Sequence, residues 1–171
     1  SDWAHWNDLY EYMQGKNPHF IANNLNMTAF LNSTINLMMF WNKNNELMVG
    51  VSIDTDKGKY VAFPYGLDKY LHQGSLLLNL KDSNQGVHGY MLLPSGIMMI
   101  AAVPITDGEK ILPPLGTLVA GRLLSPQIID KIENAAKVKV ELFLSNQLGD
   151  NKLLNDAFEN SSKNAKGHYS L

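Results

Sequence analysis

The spacing of hydrophobic residues along the chain changes from a helical to a strand period. Within residues 2–13 the large apolar side chains recur at intervals of three and four: Trp3, Trp6, Tyr10 and Met13. This spacing predicts a long N-terminal helix that is capped by Asp2 and ended by Gly15. A second short helix is expected after Pro18, where Phe20, Ile21 and Leu25 follow.

From position 35 onward the apolar residues form short runs separated by turn-forming residues, which is typical of strands. The first two runs predict a hairpin, and the three runs from 87 to 124 predict an antiparallel meander. Asp54 and Asp56 precede Gly58 in a segment that resembles the start of a calcium loop but lacks its final acid, so a hairpin turn is favoured. The expected strands are residues 35–41, 47–53, 59–63, 87–93, 97–105, 116–124 and 138–144.

Helical spacing returns in two later segments. Ser125 and Pro126 start one predicted helix, whose buried side would carry Ile128, Ile129, Ile132 and Ala136. Leu153, Leu154 and Phe158 predict another. The fold class is therefore α+β: an antiparallel sheet of five to six strands with a long N-terminal helix packed on it. We expect one domain over residues 1–171, with a core in 1–145 and a helical or mobile C-terminal tail in 146–171.

Composition excludes several classes of protein. The chain has 171 residues, 45% hydrophobic and 18% charged, which is typical of a folded domain. A formal net charge of −2 gives no reason to expect nucleic acid as a partner, because phosphate binding needs a concentrated positive surface. The absence of cysteine removes thiol catalysis, zinc ribbons and disulfide scaffolds.

The polar residues do not form a recognisable catalytic or metal-binding pattern. The five histidines are scattered, and no nucleophile elbow is present, so no catalytic residue and no cofactor are predicted. His5 and Asp8 are three apart on the predicted helix, but two ligands alone do not hold an ion, so no metal is predicted either.

The aromatic stripe of the first helix has two interpretations. Trp3, Trp6 and Tyr10 would by default be the buried seam of the helix. Alternatively, with Asp8 beside them, the rings would form a platform for a small polar or cationic ligand, because acids fix orientation while rings supply area. We take Trp3, Trp6, Asp8 and Tyr10 as candidate ligand-binding residues, and Asp2 as a structural one.

Arg122 is the one arginine of the chain and lies inside an apolar run. An arginine in a half-buried strand needs an acidic partner or an anionic ligand to offset desolvation. An ion pair with Asp2 or Asp8 is the favoured explanation, and a ligand contact is the alternative, so Arg122 joins the candidate ligand-binding residues. Gly116 and Gly121 of the same run are predicted to have structural roles.

Two blocks of sequence resemble the fourth class of CHASE domains, which are extracellular sensory domains associated with histidine kinases and cyclases. The first is DWAHWNDLYEY followed by GKNP, residues 2–18. The second combines LPSG, AAVPI and PPLGTLVAGRLL, within residues 93–124. The chain departs from the family pattern at Asn7, where an acid is common, and at Val103, where an arginine is common.

The resemblance implies a PAS-like or Cache-like core held outside the cell membrane between two transmembrane helices. The fragment itself would be non-catalytic, and the cytoplasmic part of the receptor would be a histidine kinase or a diguanylate cyclase. The implied partners are an unknown small-molecule or protein signal and a second copy of the chain in a homodimer. Two readings remain as alternatives: an interaction or dimerisation module without a small-molecule ligand, and a small hydrolase or transferase.

Overall fold

The structure, a computed structural model, describes residues 7–80, 86–142 and 149–164. These residues form two units, one extending to Leu123 and the other starting at Leu124. The first unit contains three short helices and the sheet, and the second contains two further helices. Within the described ranges, no helix combines the length and the apolar character needed to cross a membrane.

Three short helices open the first unit: α1 (Asn7–Met13), α2 (Phe20–Asn24) and α3 (Met27–Ser33). The predicted first helix is confirmed from Asn7 to Met13, but a long N-terminal helix is not shown, because residues 1–6 lie outside the described ranges. The α3 helix was not predicted from the hydrophobic spacing. Its signal is Asn26, whose side-chain Oδ1 accepts a hydrogen bond of 3.1 Å from the Ala29 N–H and so caps the helix.

Six antiparallel strands form one sheet in the order β3-β2-β1-β6-β5-β4. The α+β class and the strand number are therefore as expected. The central contact is between the first and last strands, so that β6 returns beside β1 and joins the hairpin to the meander. The strands are β1 (Leu37–Asn42), β2 (Leu47–Asp54), β3 (Lys59–Tyr60), β4 (Val87–Leu93), β5 (Gly96–Pro104) and β6 (Gly116–Leu123).

The segment after β2 is a hairpin turn, as favoured over a calcium loop. The Asp54 carboxylate accepts hydrogen bonds from the N–H groups of Asp56 at 3.1 Å and Lys57 at 3.0 Å. It also pairs with the Lys57 ammonium at 3.3 Å. The Lys57 N–H is the main cause of the lowered pKa of the Asp54 carboxyl.

Both faces of the sheet are covered in its centre. Side chains of β1 alternate between the faces, with Leu37 and Met39 on one and Met38 and Phe40 on the other, and all four are buried. We call the buried hydrophobic residues on the face covered by α1–α3 the helix-side cluster. Those on the face covered by residues 61–80 are the loop-side cluster. The helix-side cluster is Leu9, Phe20, Leu25, Phe30, Met38, Phe40, Ile53, Ile105 and Leu118. The loop-side cluster is Leu37, Met39, Leu67, Leu71, Leu77, Leu78, Met91, Leu93, Met98, Ile100, Ala102 and Val119.

The second unit contains α4 (Pro126–Ala136) and α5 (Lys152–Asn164). Both helices were predicted, but the expected buried side of α4 is wrong. No residue of α4 is buried, and Ile132 is 43% exposed. The α5 helix starts after Asn151, whose Oδ1 accepts a hydrogen bond of 3.3 Å from the Leu154 N–H.

The predicted strand over 138–144 is also wrong where it is described, since residues 138–142 form no strand. The Val140 N–H, which a strand would use in its ladder, donates instead to the Glu133 carboxylate at 2.9 Å. This bond, together with the Lys139 ammonium at 3.1 Å, lowers the pKa of the Glu133 carboxyl. Residues 143 and 144 lie outside the described ranges.

Candidate functional site

The structure describes only part of the predicted aromatic site. Asp2, Trp3 and Trp6 lie outside the described residues. Asp8 is exposed on α1, whereas Tyr10 is only 6% exposed and belongs to the core. The Tyr10 hydroxyl donates a hydrogen bond of 3.1 Å to the backbone carbonyl of Pro113, so its polar end is already used within the fold.

Arg122 lies on β6 beside Met99 of β5 and is half-buried. Strand alternation places it on the same face as Leu118, the helix side. Among the described residues neither ion pair includes Arg122, so the expected partner Asp8 does not pair with it. The Arg122 Nε is buried without a hydrogen-bond partner. The other expected partner, Asp2, lies outside the described ranges.

The two sequence blocks meet at the loop between β5 and β6. Besides the bond from Tyr10 to Pro113, the Asn7 Oδ1 accepts a hydrogen bond of 3.0 Å from the Gly108 N–H. Each contact joins α1 to a residue about a hundred positions later. An aspartate, common in the family at position 7, would offer the same acceptor oxygen. The first block therefore fixes the loop from which β6 starts.

Gly116 and Gly121 both lie where a side chain would not fit. A Cβ on Gly116 would overlap the carbonyl oxygen of Trp41 on the neighbouring strand β1. A Cβ on Gly121 would lie 2.7 Å from the Met98 Sδ and 3.2 Å from the Leu37 Cβ. At these two points β6 approaches its neighbours closely.

A cavity of about 280 Å³ lies on the loop side, between the β1–β2 hairpin and the chain that follows β3. We call it the Trp41 cavity. Its lining is mostly hydrophobic and aromatic with a single charged residue, which is the usual composition of a small-molecule site. The lining residues are Met39, Trp41, Leu47, Phe63, Pro64, Tyr65, Gly66, Leu67, Asp68 and Leu71.

Strand alternation places Trp41 in the wall of this cavity, on the same face as Leu37 and Met39, and a β-bulge lies opposite it on β2. Phe40 pairs with Val49 whereas Trp41 pairs with Leu47, which leaves Met48 of β2 as the extra residue. Such bulges change the direction of side chains and are frequent beside functional sites. In the part of the chain that the structure describes, the buried Trp41 Nε1–H has no hydrogen-bond acceptor. A buried donor without a partner costs on the order of 1–3 kcal/mol, so this N–H is available to an acceptor that can reach it.

Glycines shape the opposite wall. A Cβ on Gly50 of β2 would lie 2.6 Å from the Phe63 Cζ, so the absence of a side chain lets the Phe63 ring lie against the strand. Gly66 has a φ of 86°, a left-handed conformation that favours glycine, and it starts the short 3₁₀ helix Leu67–Lys69.

The Trp41 cavity was not predicted from the sequence. Two of its three aromatic residues, Phe63 and Tyr65, stand in an irregular segment, and irregular chain carries no periodicity that assigns a side chain to a face. The available signal was Phe63 and Tyr65 on either side of Pro64, since aromatic residues in a turn are not required by the turn itself.

A second cavity, of about 260 Å³, has Asn42, Asn45 and Asn79 in its lining, and these three side chains already make hydrogen bonds within the fold. The Asn42 Oδ1 accepts bonds from the N–H groups of Asn44 and Glu46, at 2.8 and 3.0 Å. Asn45 donates to Asn79 at 3.4 Å. These side chains stabilise the turn after β1. Within the described ranges, no group of three or more acidic or histidine residues could hold a metal ion.

Comparison with known proteins identifies relatives of the chain. The family model described as the CHASE4 domain matches residues 1–143. The chain is also similar to the methanogenesis regulatory histidine kinase FilI of Methanothrix harundinacea, with 25% identity over 123 residues. This match covers 72% of the chain and 14% of the relative's length. No solved structure matches the chain.

Proposed function

The chain belongs to the CHASE4 domain family, and we propose that it is the extracytoplasmic signal-sensing domain of a membrane-bound receptor. CHASE4 domains are sensory and not catalytic, so the chemistry of the receptor belongs to another part of it. The resemblance of the two sequence blocks supports the location outside the membrane, with transmembrane helices flanking the domain.

We propose a histidine kinase as the output of this receptor. The support is the similarity to a regulatory histidine kinase, of which the match covers only 14%. Most of that relative lies outside the match, as expected if its sensory domain is joined to a separate kinase. A diguanylate cyclase is the alternative output.

A PAS-like or Cache-like core is the proposed fold type. It is supported by the single antiparallel sheet, in which the hairpin β1–β2 and the meander β4–β6 join through the central pair β1 and β6. The sheet separates α1–α3 on one face from the Trp41 cavity on the other.

The observation that carries the sensing proposal is the Trp41 cavity. It combines an apolar lining, a buried Trp41 donor that has no acceptor among the described residues, and a β-bulge on β2 opposite Trp41. A ligand that fills the cavity would displace water from apolar surface and, with a small turn of the indole, give the Trp41 N–H a partner. We therefore propose the cavity, in place of the aromatic stripe of the first helix, as the site where the signal binds.

Signalling would then be a population shift. A ligand changes the equilibrium between two arrangements of the domain only by its difference in affinity for them. The Trp41 backbone touches Gly116, and Pro113 of the preceding loop accepts the bond from Tyr10 of α1. These contacts connect the cavity to α1, the helix closest to the start of the described chain.

A thermal-shift screen of the chain tests the proposal, because a specific ligand raises the melting temperature by mass action. The library contains amino acids, organic acids, amines, nucleobases and divalent ions. We expect a hit that Trp41→Phe weakens and Trp6→Phe does not. A hit that depends on Trp6 instead would move the site to the first helix, and the absence of any hit would contradict ligand sensing.

A second function, dimerisation without a small-molecule ligand, is favoured by one exposed surface. Tyr90 of β4 pairs with Met99 of β5, and these side chains are 56% and 41% exposed, with Leu92 50% exposed beside them. Exposed apolar patches often mark protein contacts. Sedimentation equilibrium of the chain and of Tyr90→Ser tests this: a dimer that the substitution dissociates would support it, and a monomeric chain would contradict it.

A further inference from the structure

We propose that the Trp41 cavity binds a small organic cation that carries a methylated ammonium group. This inference rests on the proposed function, in which the cavity receives the signal, and adds the chemical class of the ligand. It depends on three aromatic residues and one acid that share the lining: Trp41, Phe63, Tyr65 and Asp68.

The aromatic residues provide the attraction for a cation. The face of an aromatic ring is negative, and a cation within about 6 Å of it is held by the ring quadrupole. Methylated ammonium groups suit such a site because their outer surface consists of apolar methyl groups and because they have few or no N–H donors that need an acceptor. The ring pairs recorded among the described residues join Tyr12, Phe20 and Phe40 on the helix side. The faces of the cavity rings are thus not used in those pairs.

The charge of the lining selects the sign of the ligand. Among the described lining residues Asp68 is the one that is charged, and none of them is a lysine, arginine or histidine. An anionic ligand would therefore meet repulsion without a compensating partner. A neutral ligand would gain from the apolar walls but would not use the Asp68 carboxylate.

The buried Trp41 N–H narrows the class further. Among the described residues it has no acceptor, and its nitrogen is closed to solvent, so a small turn of the indole on binding would let a ligand oxygen accept a bond from it. A compound that has a methylated ammonium group and also a hydroxyl or carboxylate oxygen can contact both the aromatic rings and this N–H. Choline and glycine betaine have this combination, and tetramethylammonium has only the cationic part.

Isothermal titration calorimetry of the chain with four probes tests the proposal. The probes are choline, glycine betaine, tetramethylammonium and 3,3-dimethyl-1-butanol, which has the shape of choline without its charge. We expect choline or betaine to bind best, and the neutral probe to bind about tenfold or more weakly than choline. Equal affinity for choline and its neutral counterpart would overturn the cation class.

Two exposed residues allow variants that preserve the core. Tyr65 is 83% exposed, so Tyr65→Leu should fold normally and weaken cation binding by about threefold or more. Asp68→Asn should weaken it by about two- to fivefold, because the carboxylate is exposed to solvent. The matched control is Tyr60→Leu, an exposed tyrosine of β3 outside the lining, which should leave binding unchanged.

The outcomes separate this inference from the proposed function. A neutral or anionic compound from the broad screen whose binding requires Trp41 would contradict the proposal that the ligand is a cation. It would still support the Trp41 cavity as the sensing site. Cation binding that Tyr65→Leu and Tyr60→Leu weaken equally would place the cation elsewhere. No binding by any compound would contradict both proposals.

Discussion

The hydroxyl of Tyr10 donates a hydrogen bond of 3.1 Å to the carbonyl of Pro113, 103 residues later in the chain. Pro113 stands three residues before Gly116, where β6 passes so close to β1 that a side chain would overlap the Trp41 carbonyl. Trp41 in turn lines the cavity on the other side of the sheet. A short series of direct contacts therefore runs from the first described helix to the proposed ligand site.

Replacing Tyr10 with phenylalanine should lower the stability of the chain by about 0.5–1.5 kcal/mol, because it removes one intramolecular hydrogen bond and leaves the Pro113 carbonyl without this donor. Urea unfolding of the purified chain measures the change. Tyr12→Phe is the matched control, since the half-buried Tyr12 ring stacks on Phe20 at 5.5 Å and would keep that contact. Equal losses in the two variants would show that the Tyr10 bond contributes nothing.

Replacing Gly116 with alanine should destabilise the chain by about 1–3 kcal/mol, because the new methyl group meets the Trp41 backbone, which cannot rotate away. Gly50→Ala is the contrast. There the obstacle is the far end of the Phe63 side chain, so the ring can move into the Trp41 cavity. We expect Gly50→Ala to affect stability less than Gly116→Ala but to weaken ligand binding. Thermal unfolding and calorimetry of both variants check this, and a Gly116→Ala variant as stable as the parent would contradict it.

Much of the fold followed from the sequence, and the ligand site did not. Strands such as β1 and β5 are long apolar runs between turn residues, so their existence and antiparallel order could be predicted. The wall formed by Phe63 and Tyr65 could not be predicted, because these residues stand in irregular chain that leads into the left-handed Gly66. Helical spacing placed Tyr10 on the apolar stripe but could not show that its hydroxyl is bonded to Pro113.

The Asp54 turn should make part of the stability depend on acid pH. The pKa of the Asp54 carboxyl is lowered in the fold, first by the Lys57 N–H and then by the Lys57 side chain, whereas unfolding restores its ordinary value of 3.8. A lowered pKa means that the carboxylate stabilises the fold above pH 3.8, and that this contribution disappears as the pH falls below it. Asp54→Asn keeps an acceptor oxygen and removes the charge.

Urea unfolding at pH 7 and at pH 3 measures this dependence. The parent should be more stable than Asp54→Asn at pH 7, and the difference should shrink at pH 3. Lys57→Met should retain most of the pH effect, because the backbone N–H of residue 57 is the largest cause of the lowered pKa of Asp54. A difference between parent and Asp54→Asn that is the same at both pH values would refute the assignment.

The contacts between Tyr10 and the Trp41 cavity should make substitutions at the two positions non-additive. Substitutions at residues without shared partners usually change the unfolding free energy additively to within about 0.5 kcal/mol, whereas substitutions at residues joined by contacts deviate from additivity by more. We expect the unfolding free energies of Tyr10→Phe, Trp41→Phe and the double variant to give a coupling above about 0.5 kcal/mol. The reason is that the Trp41 backbone, whose position depends on how the Trp41 side chain packs, meets Gly116, three residues after the Pro113 carbonyl that accepts the Tyr10 bond.

A matched pair provides the control for this coupling. Tyr70 donates a hydrogen bond of 3.1 Å to the Leu92 carbonyl, so Tyr70→Phe removes the same kind of bond as Tyr10→Phe on the loop side of the sheet. Tyr10 and Tyr70 share no partner, so the losses of unfolding free energy from Tyr10→Phe and Tyr70→Phe should be additive. The effects of Tyr10→Phe and Trp41→Phe on the unfolding free energy could instead be as additive as those of the control pair. In that case the loop before β6 does not transmit changes at the cavity to α1, and the signal must leave the sheet by another contact.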